Sequence, residues 1–349
     1  KQEYDMLTIY TVEQSNEWDA AVRSFKNYDV YWLSGYVRAF QIHGDGEPLL
    51  FFYEKEQTRG INVVMKRDIA DIPHISDKIP SDTYFDFSTP YGYGGWLVEG
   101  TNSDLLFQEY EEWCQKHNII SEFVRFHPVI QNHVNAQGFY NVDSLGKVIT
   151  LDLTSPETIW TNMTSKNRNM VRKAQKSGVR IYNGRFPEVY EKFQEIYNAT
   201  MDKDHAKDYY YFSREFYQSI LNDLSRNAQV FFAELEGKMI AASIMLTANG
   251  YMNYHLSGSV KEYSSTAPTN LLLYEAALWG YENGCRTLYL GGGVGSGEDS
   301  LFKFKKSFFR GDDTDCFCIG KKIFNFEKYK VLVDMRQQTE SEYFPKYRG

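Results

Sequence analysis

No apolar run in this 349-residue chain approaches the roughly 20 residues that cross a bilayer, and the opening stretch KQEYDMLTIY has no hydrophobic signal segment. A soluble, cytoplasmic protein without stable membrane insertion is expected. Cysteine is scarce: Cys114, Cys285, Cys316 and Cys318 are scattered, with no Cys-x-x-Cys pair and no disulfide framework, which fits a reducing compartment. The seven histidines show no His-Glu-x-x-His spacing, and Cys316-Phe-Cys318 has no second ligand pair, so no metal is expected. The glycine-rich run 291–299, GGGVGSGED, lacks the Lys-Ser/Thr ending of a phosphate-binding loop. Glu298 and Asp299 place negative charge where a phosphate would need the opposite, which excludes a nucleoside triphosphate site there.

What the chain does have is an uneven charge. Residues 1–150 carry 12 basic against 22 acidic side chains, whereas residues 151–349 carry 26 against 24. A polyanion should therefore prefer the second half. Within it, residues 161–187 hold Lys166, Arg168, Arg172, Lys173, Lys176, Arg180 and Arg185 with no acid at all. Arg168 and Arg172 stand four apart on one helical face, where they can pair with phosphates or with acidic side chains.

The chain also repeats itself. Leu105, Leu106, Glu109 and Trp113 recur with the same spacing as Leu271, Leu272, Glu275 and Trp279, each set on a helical period and each followed by a short apolar strand. Ahead of each copy lie strand signals, 48–53 with 60–66, then 229–235 with 239–247 and 251–259. Helices are expected over 15–25, 32–43, 155–177, 187–201 and 213–223, and the loop 71–95 should be long and ordered by its aromatic residues. The spacing gives two α/β (α+β) domains of mixed, largely antiparallel sheet flanked by helices. The first covers 1–150, joined by the tail 322–349; the second, 151–321, carries the chemistry.

The densest chemical signal is 301–309, LFKFKKSFF, following an apolar strand and the glycine-rich loop. A lysine delivered there can meet an oxyanion or donor phosphate, with Phe304 lowering the local dielectric around Lys305. Lys306 is a rival, and an extended strand with outward lysines fits the same alternation. Tyr254 and His255 fall on a strand where one of them could polarise a carbonyl or relay a proton, core packing being the other reading.

Taken together, Trp160-Thr-Asn-Met163, Lys166-Asn-Arg-Asn-Met-Val-Arg-Lys-Ala174 with Gly178-Val179, Pro268-Thr-Asn-Leu-Leu-Leu-Tyr-Glu275 and Phe304-Lys305-Lys306-Ser-Phe308 resemble the Fem family of peptidoglycan-bridge aminoacyltransferases. The resemblance spans most of the chain and is strongest over 149–309. It implies tandem GNAT-like domains, no cofactor, aminoacyl-tRNA as donor, and a peptidoglycan precursor peptide or UDP-linked muropeptide as acceptor. It also implies catalysis by Lys305 with Phe304 and points to Arg38 and Lys203 near the family's phosphate-binding positions; Arg168, Arg172, Tyr254 and His255 join them as substrate-binding candidates from their own places in the chain. The chain departs from the family in Tyr36-Val-Arg38-Ala-Phe40, where Arg38 is only near the diphosphate-binding lysine of other members. Lys203 stands in for an arginine, keeping charge but losing the bidentate fork.

Two other functions compete. A GNAT-like N-acyltransferase would use acyl-CoA on a sugar or peptide amine, but 260–268 lacks the glycine pair that ordinarily cradles a CoA pyrophosphate. A silent saccharide- or peptide-binding module would not need the Phe304-Lys305 pair.

Overall fold

The computed structural model describes residues 7–312, 314–336 and 342–349. The chain divides into two compact units, Lys1–Leu145 with Phe317–Gly349, and Gly146–Cys316. The second is thus inserted in the first, and the divisions fall inside two strands rather than in a linker.

In the first unit, β1 (Leu7–Tyr10), α1 (Ser15–Arg23), α2 (Ser34–His43), β2 (Glu47–Lys55), β3 (Thr58–Asp68), β4 (Phe85–Ser88), β5 (Leu97–Glu99), α3 (Asp104–Lys116) and β6 (Ile119–Arg125) follow in order. β7 (Asn141–Asp152) then leads into the second unit. That unit comprises α4 (Pro156–Asn162), α5 (Ser165–Lys176), β8 (Arg180–Gly184), α6 (Pro187–Lys203), α7 (Arg214–Asp223), β9 (Ala228–Leu235), β10 (Lys238–Ala248), β11 (Tyr251–Ser259), α8 (Pro268–Glu282), β12 (Thr287–Gly291) and α9 (Ser300–Lys306). β13 (Asp315–Ile323) and α10 (Phe326–Asp334) return to the first unit.

Each unit repeats one topology. The first runs β1-β2-β3-β4-β6-β13 with β5 on the side of β3; the second runs β8-β9-β10-β11-β12-β7. In both, an antiparallel meander ends in a parallel pair, β4 with β6 and β11 with β12, and an antiparallel strand closes the far side. The two helices carrying the repeated Leu-Leu-x-x-Glu pattern, α3 and α8, are the crossovers of those parallel pairs. Parallel neighbours need such a connection, and the helix must bury an apolar stripe against the sheet. Leu106, Tyr110 and Cys114 of α3 do so, as do Leu272, Ala276 and Gly280 of α8. Gly280 lets α8 come close: a methyl group there would lie 2.8 Å from Met252 Sδ and 2.9 Å from Leu153 Cδ1.

Three local expectations are corrected. The helix expected over 155–177 is two helices, because Thr164 caps a new one by accepting from Asn167 N through its hydroxyl. The loop 71–95 contains β4, whose four residues are too few to stand out among its turns. The Phe/Lys alternation of 301–309 is not a strand: Asp299 caps α9 there.

The core of the first unit buries several ionisable groups, Asp29, Asp86, Glu122 and His127 among them. Glu122 on β6 accepts from Asn62 Nδ2 at 3.1 Å, Tyr110 OH at 3.1 Å and Tyr140 OH at 2.9 Å. Burial outweighs these bonds and pushes its carboxyl up to about 7. The C-terminal residues are tied to the same unit at Asp86, which accepts from Tyr347 OH at 3.0 Å, Arg348 Nε at 2.6 Å and Arg67 Nε at 2.8 Å.

Candidate functional site

In the second unit the parallel ladder between β11 and β12 runs only from Tyr251↔Thr287 to Asn253↔Tyr289. Beyond it the strands part for two reasons legible in the register. β11 carries a bulge against β10, where Ile244↔Leu256 is followed by Met245↔Tyr254 and His255 is the extra residue. On the other side, β12 shifts register against β7 between Tyr289 and Gly291. A V-shaped opening results, with Tyr254, His255 and Ser257 on one arm and Leu290 and Gly291 on the other.

The equivalent place in the first unit is closed. There Thr89 N donates to Phe123 O at 3.0 Å, Arg125 N to Thr89 Oγ1 at 3.2 Å, and Gly94 N to Arg125 O at 2.8 Å. The loop after β4 is thereby laced along β6.

α9 is placed beside the open V by its cap. Asp299 Oδ1 accepts from Phe302 N at 2.9 Å and Oδ2 from Val294 N at 3.2 Å, so one carboxylate starts the helix and holds the glycine-rich turn before it. On the resulting helical period Phe302 and Lys305 face inward. Lys305 is only 8 % exposed, and its Nζ donates to Gly292 O at 2.7 Å. Burial lowers its pKa to about 8, and the nearby Asp299 charge opposes the fall. The ammonium thus has one donor committed and others to offer. Lys306 points elsewhere, with Nζ donating to Gly311 O at 2.5 Å and Phe309 O at 2.7 Å. Phe304 is half-buried and packs edge-on against Phe308 at 5.6 Å.

The far end of α9 is held by a polar hub. Asn167 on α5 is buried and donates through Nδ2 to Ser307 O at 3.4 Å, while its Oδ1 accepts from Asn270 Nδ2 of α8 at 2.8 Å. Thr164 N also reaches Ser307 O, at 2.9 Å. Sequence reasoning read Asp299 only as a charge that excludes a phosphate, and Asn167 and Asn270 only as members of longer motifs, with no role for any of the three. Asp299 had a usable signal, an acid three residues ahead of an apolar helical position, but the Asn pair is 103 residues apart and had none.

The other expected site residues are dispersed. Tyr254 OH donates to Ser257 Oγ at 2.6 Å on the open arm of the V, and burial raises its phenol. His255 is the bulged residue beside it; burial pushes its imidazole down to about 3, which keeps it neutral. Arg168 is spent locally, Nη1 on Met163 O at 2.9 Å and Nη2 on Ser165 Oγ at 3.2 Å. Arg172 lies over the Trp160 ring at 5.0 Å and reaches Asn169 Oδ1 at 3.2 Å. Lys166, Lys173 and Lys176 on the same helix are exposed. Lys203 ends α6 in solvent. Arg38 belongs to α2 of the first unit, where its Nη2 donates to Val12 O at 2.9 Å.

Among the described residues no three His, Cys, Asp or Glu side chains converge as metal ligands, and no helix is long and apolar enough to cross a membrane.

Residues 164–306 match the family model described as an acetyltransferase (GNAT) domain. By sequence the chain is similar to a UDP-N-acetylmuramoylpentapeptide-lysine N(6)-alanyltransferase of Weissella viridescens, 24% identical over 304 residues that cover 80% of this chain and 89% of the relative. By fold it is similar to the crystal structure of FemX, with a TM-score of 0.68 at 13% identity, covering 93% of this chain and 99% of that one. The C-terminal domain of a putative lysylphosphatidylglycerol synthetase from Agrobacterium fabrum shares the fold at a TM-score of 0.56 and 14% identity, over 91% of this chain and 92% of that one. The chain thus shares the fold of FemX and is similar in sequence to a muropeptide alanyltransferase.

Proposed function

We propose that this chain is an aminoacyltransferase that moves an amino acid from aminoacyl-tRNA to an amine of a peptidoglycan precursor in the cytoplasm. The observation that carries the reading is the parted β11–β12 pair with a buried lysine beside it, in a chain similar along 80% of its length to an alanyltransferase. A GNAT fold uses such an opening to receive an acyl donor edge-on between two strands.

The reaction asks for alignment and charge stabilisation rather than a strong base. The acceptor amine nitrogen forms a bond to the ester carbonyl carbon of the donor, and the carbonyl oxygen becomes an oxyanion. Collapse breaks the ester C–O bond, the amine loses its proton, and the departing ribose oxygen gains one. Lys305 serves as the cation beside that oxygen. With a pKa of about 8 it is still largely protonated at neutral pH, and it is acidic enough to share a proton with the leaving group. The neutral His255 and the phenol of Tyr254 line the donor's path without adding charge. The exposed Lys166, Lys173 and Lys176 supply a surface for tRNA phosphates.

A second reading, N-acylation from acyl-CoA, is favoured by the match to the acetyltransferase (GNAT) description. Against it, α8 opens with Ala267 in the left-handed conformation (φ 52°) and Pro268, not with a glycine pair. Transfer of labelled alanine from alanyl-tRNA to UDP-N-acetylmuramoyl-pentapeptide, run beside acetyl-CoA with the same acceptor, separates the two. Turnover with acetyl-CoA and none with charged tRNA would establish the second reading.

A further inference from the structure

We propose that Asp299 is a positioning residue for Lys305, setting both the place and the protonation of its ammonium by clamping the glycine-rich turn 291–297 onto the start of α9. The inference rests on the reading above for its consequence in catalysis, but its physical content concerns two side chains of this chain and can be tested without any substrate.

The geometry is a closed circuit. One carboxylate oxygen of Asp299 holds Phe302 N and the other holds Val294 N, so helix and turn are joined at a single group. Two residues before Val294, the carbonyl of Gly292 receives Lys305 Nζ at 2.7 Å. The turn is therefore gripped twice, by an anion on an amide and by a cation on a carbonyl. Gly293 lies between the two grips and has no room for a side chain: a methyl group there would fall 2.2 Å from Gly297 O and 2.3 Å from Asp299 Oδ1. Loosening Asp299 would free Val294, the turn and the acceptor of Lys305 together.

The electrostatics work in the same direction. Burial favours the neutral amine, and Asp299 is the charge that opposes it. Several other ionisable groups of this unit are engaged elsewhere. Lys306 is bonded to Phe309 O and Gly311 O, Glu298 is paired with Lys147 at 3.4 Å, and Asp315 accepts from Thr150 Oγ1 at 2.8 Å. The Tyr289 hydroxyl faces the same side of Gly291 as Lys305 Nζ, and Lys303 lies on α9 itself. Asp299 is itself held below the usual carboxylate range, chiefly by the backbone amide of Phe302, so it stays ionised throughout the range in which Lys305 titrates.

The test is an NMR titration of the lysine ammonium groups in the full chain, with the Lys305 signal assigned by its loss in Lys305→Arg. In Asp299→Asn the amide oxygen keeps the cap on Phe302 N, while the charge and the second acceptor, on Val294 N, are lost, so Lys305 should titrate at least ~0.3 pH unit lower than in the wild type. Asp299→Glu should recover most of that shift, and Gly293→Ala, which displaces the carboxylate, should reproduce the loss. The basic limb of the kcat profile should move by the same amount in the same direction. An unchanged Lys305 titration in Asp299→Asn that still melts cooperatively overturns the proposal. If the titration moves but no tested donor and acceptor give turnover, the positioning stands and only the functional reading fails.

Discussion

Asn270 Nδ2 on α8 donates to Asn167 Oδ1 on α5 at 2.8 Å, and this one bond joins the crossover helix of the repeat to the helix that holds the end of α9. Because Asn167 is buried, removing its amide takes the acceptor from Asn270 Nδ2 and leaves Ser307 O dependent on Thr164 N. Asn167→Ala should cost about 1–3 kcal/mol in urea unfolding. It should also lower kcat more than it raises KM, since the displaced element is α9. A loss of stability with unchanged kcat would make the hub purely structural.

Lys305 and Lys306 are adjacent in sequence and opposite in use. Lys305→Ala should reduce transfer by about two to three powers of ten, as loss of an oxyanion partner does, with acceptor affinity nearly intact. Lys306→Ala should cost mainly stability, because its bonds go to Phe309 O and Gly311 O. Steady-state kinetics with equal KM and kcat for Lys305→Ala and wild type would remove Lys305 from the chemistry.

The basic tract sorts into two groups once its hydrogen bonds are known. Arg168 is tied to its own backbone and Arg172, itself exposed, lies over Trp160, whereas the exposed Lys166, Lys173 and Lys176 make no such contact among the described residues. If charged tRNA is the donor, a triple Lys→Gln change at these positions should weaken binding and flatten its dependence on salt by roughly one unit of log–log slope per lost phosphate contact. Arg168→Gln alone should leave that slope in place. Fluorescence anisotropy across a salt series reads both.

Glu122 gives the first unit a pH dependence of definite sign. Its folded pKa of about 7 lies above the ordinary carboxylate value of 4.5, so between those pH values the native state binds the extra proton. Stability from this group therefore falls as pH rises from 4.5 through 7, then levels off. Glu122→Gln should match or trail the wild type at pH 5 and gain on it by on the order of 2 kcal/mol at pH 8. A constant difference at the two pH values would show that the carboxyl titrates normally.

Much of this could be read from residue order alone. The meander strands β2, β3, β9, β10 and β11 announced themselves by apolar alternation, α7 by its Ser213 cap, and the duplication by the pattern shared between α3 and α8. What stayed hidden depends on groups meeting across the fold. The run 301–309 satisfies both a two-residue and a helical period, and only the Asp299 cap decides between them. The burial of Lys305 follows from that decision. The opening between β11 and β12 is a matter of register: a bulge at His255 and a shift at Gly291 leave no mark in composition. Arg168 and Arg172 make local contacts, to Met163 O and to the Trp160 ring, that composition does not reveal.

The insertion of Gly146–Cys316 within the first unit has a consequence for biosynthesis. Domains emerging from a ribosome ordinarily fold from the N-terminus onward. Here the N-terminal unit waits, because β13 must pair with β6 through Ile319↔Arg125 to Ile323↔Ser121, and Tyr347 and Arg348 must reach Asp86. The unit that begins second has all its strands first, and the one that begins first is completed only once residues 317–349 have emerged. A nascent chain halted after Cys316 would carry a finished second unit behind a first unit still open along β6.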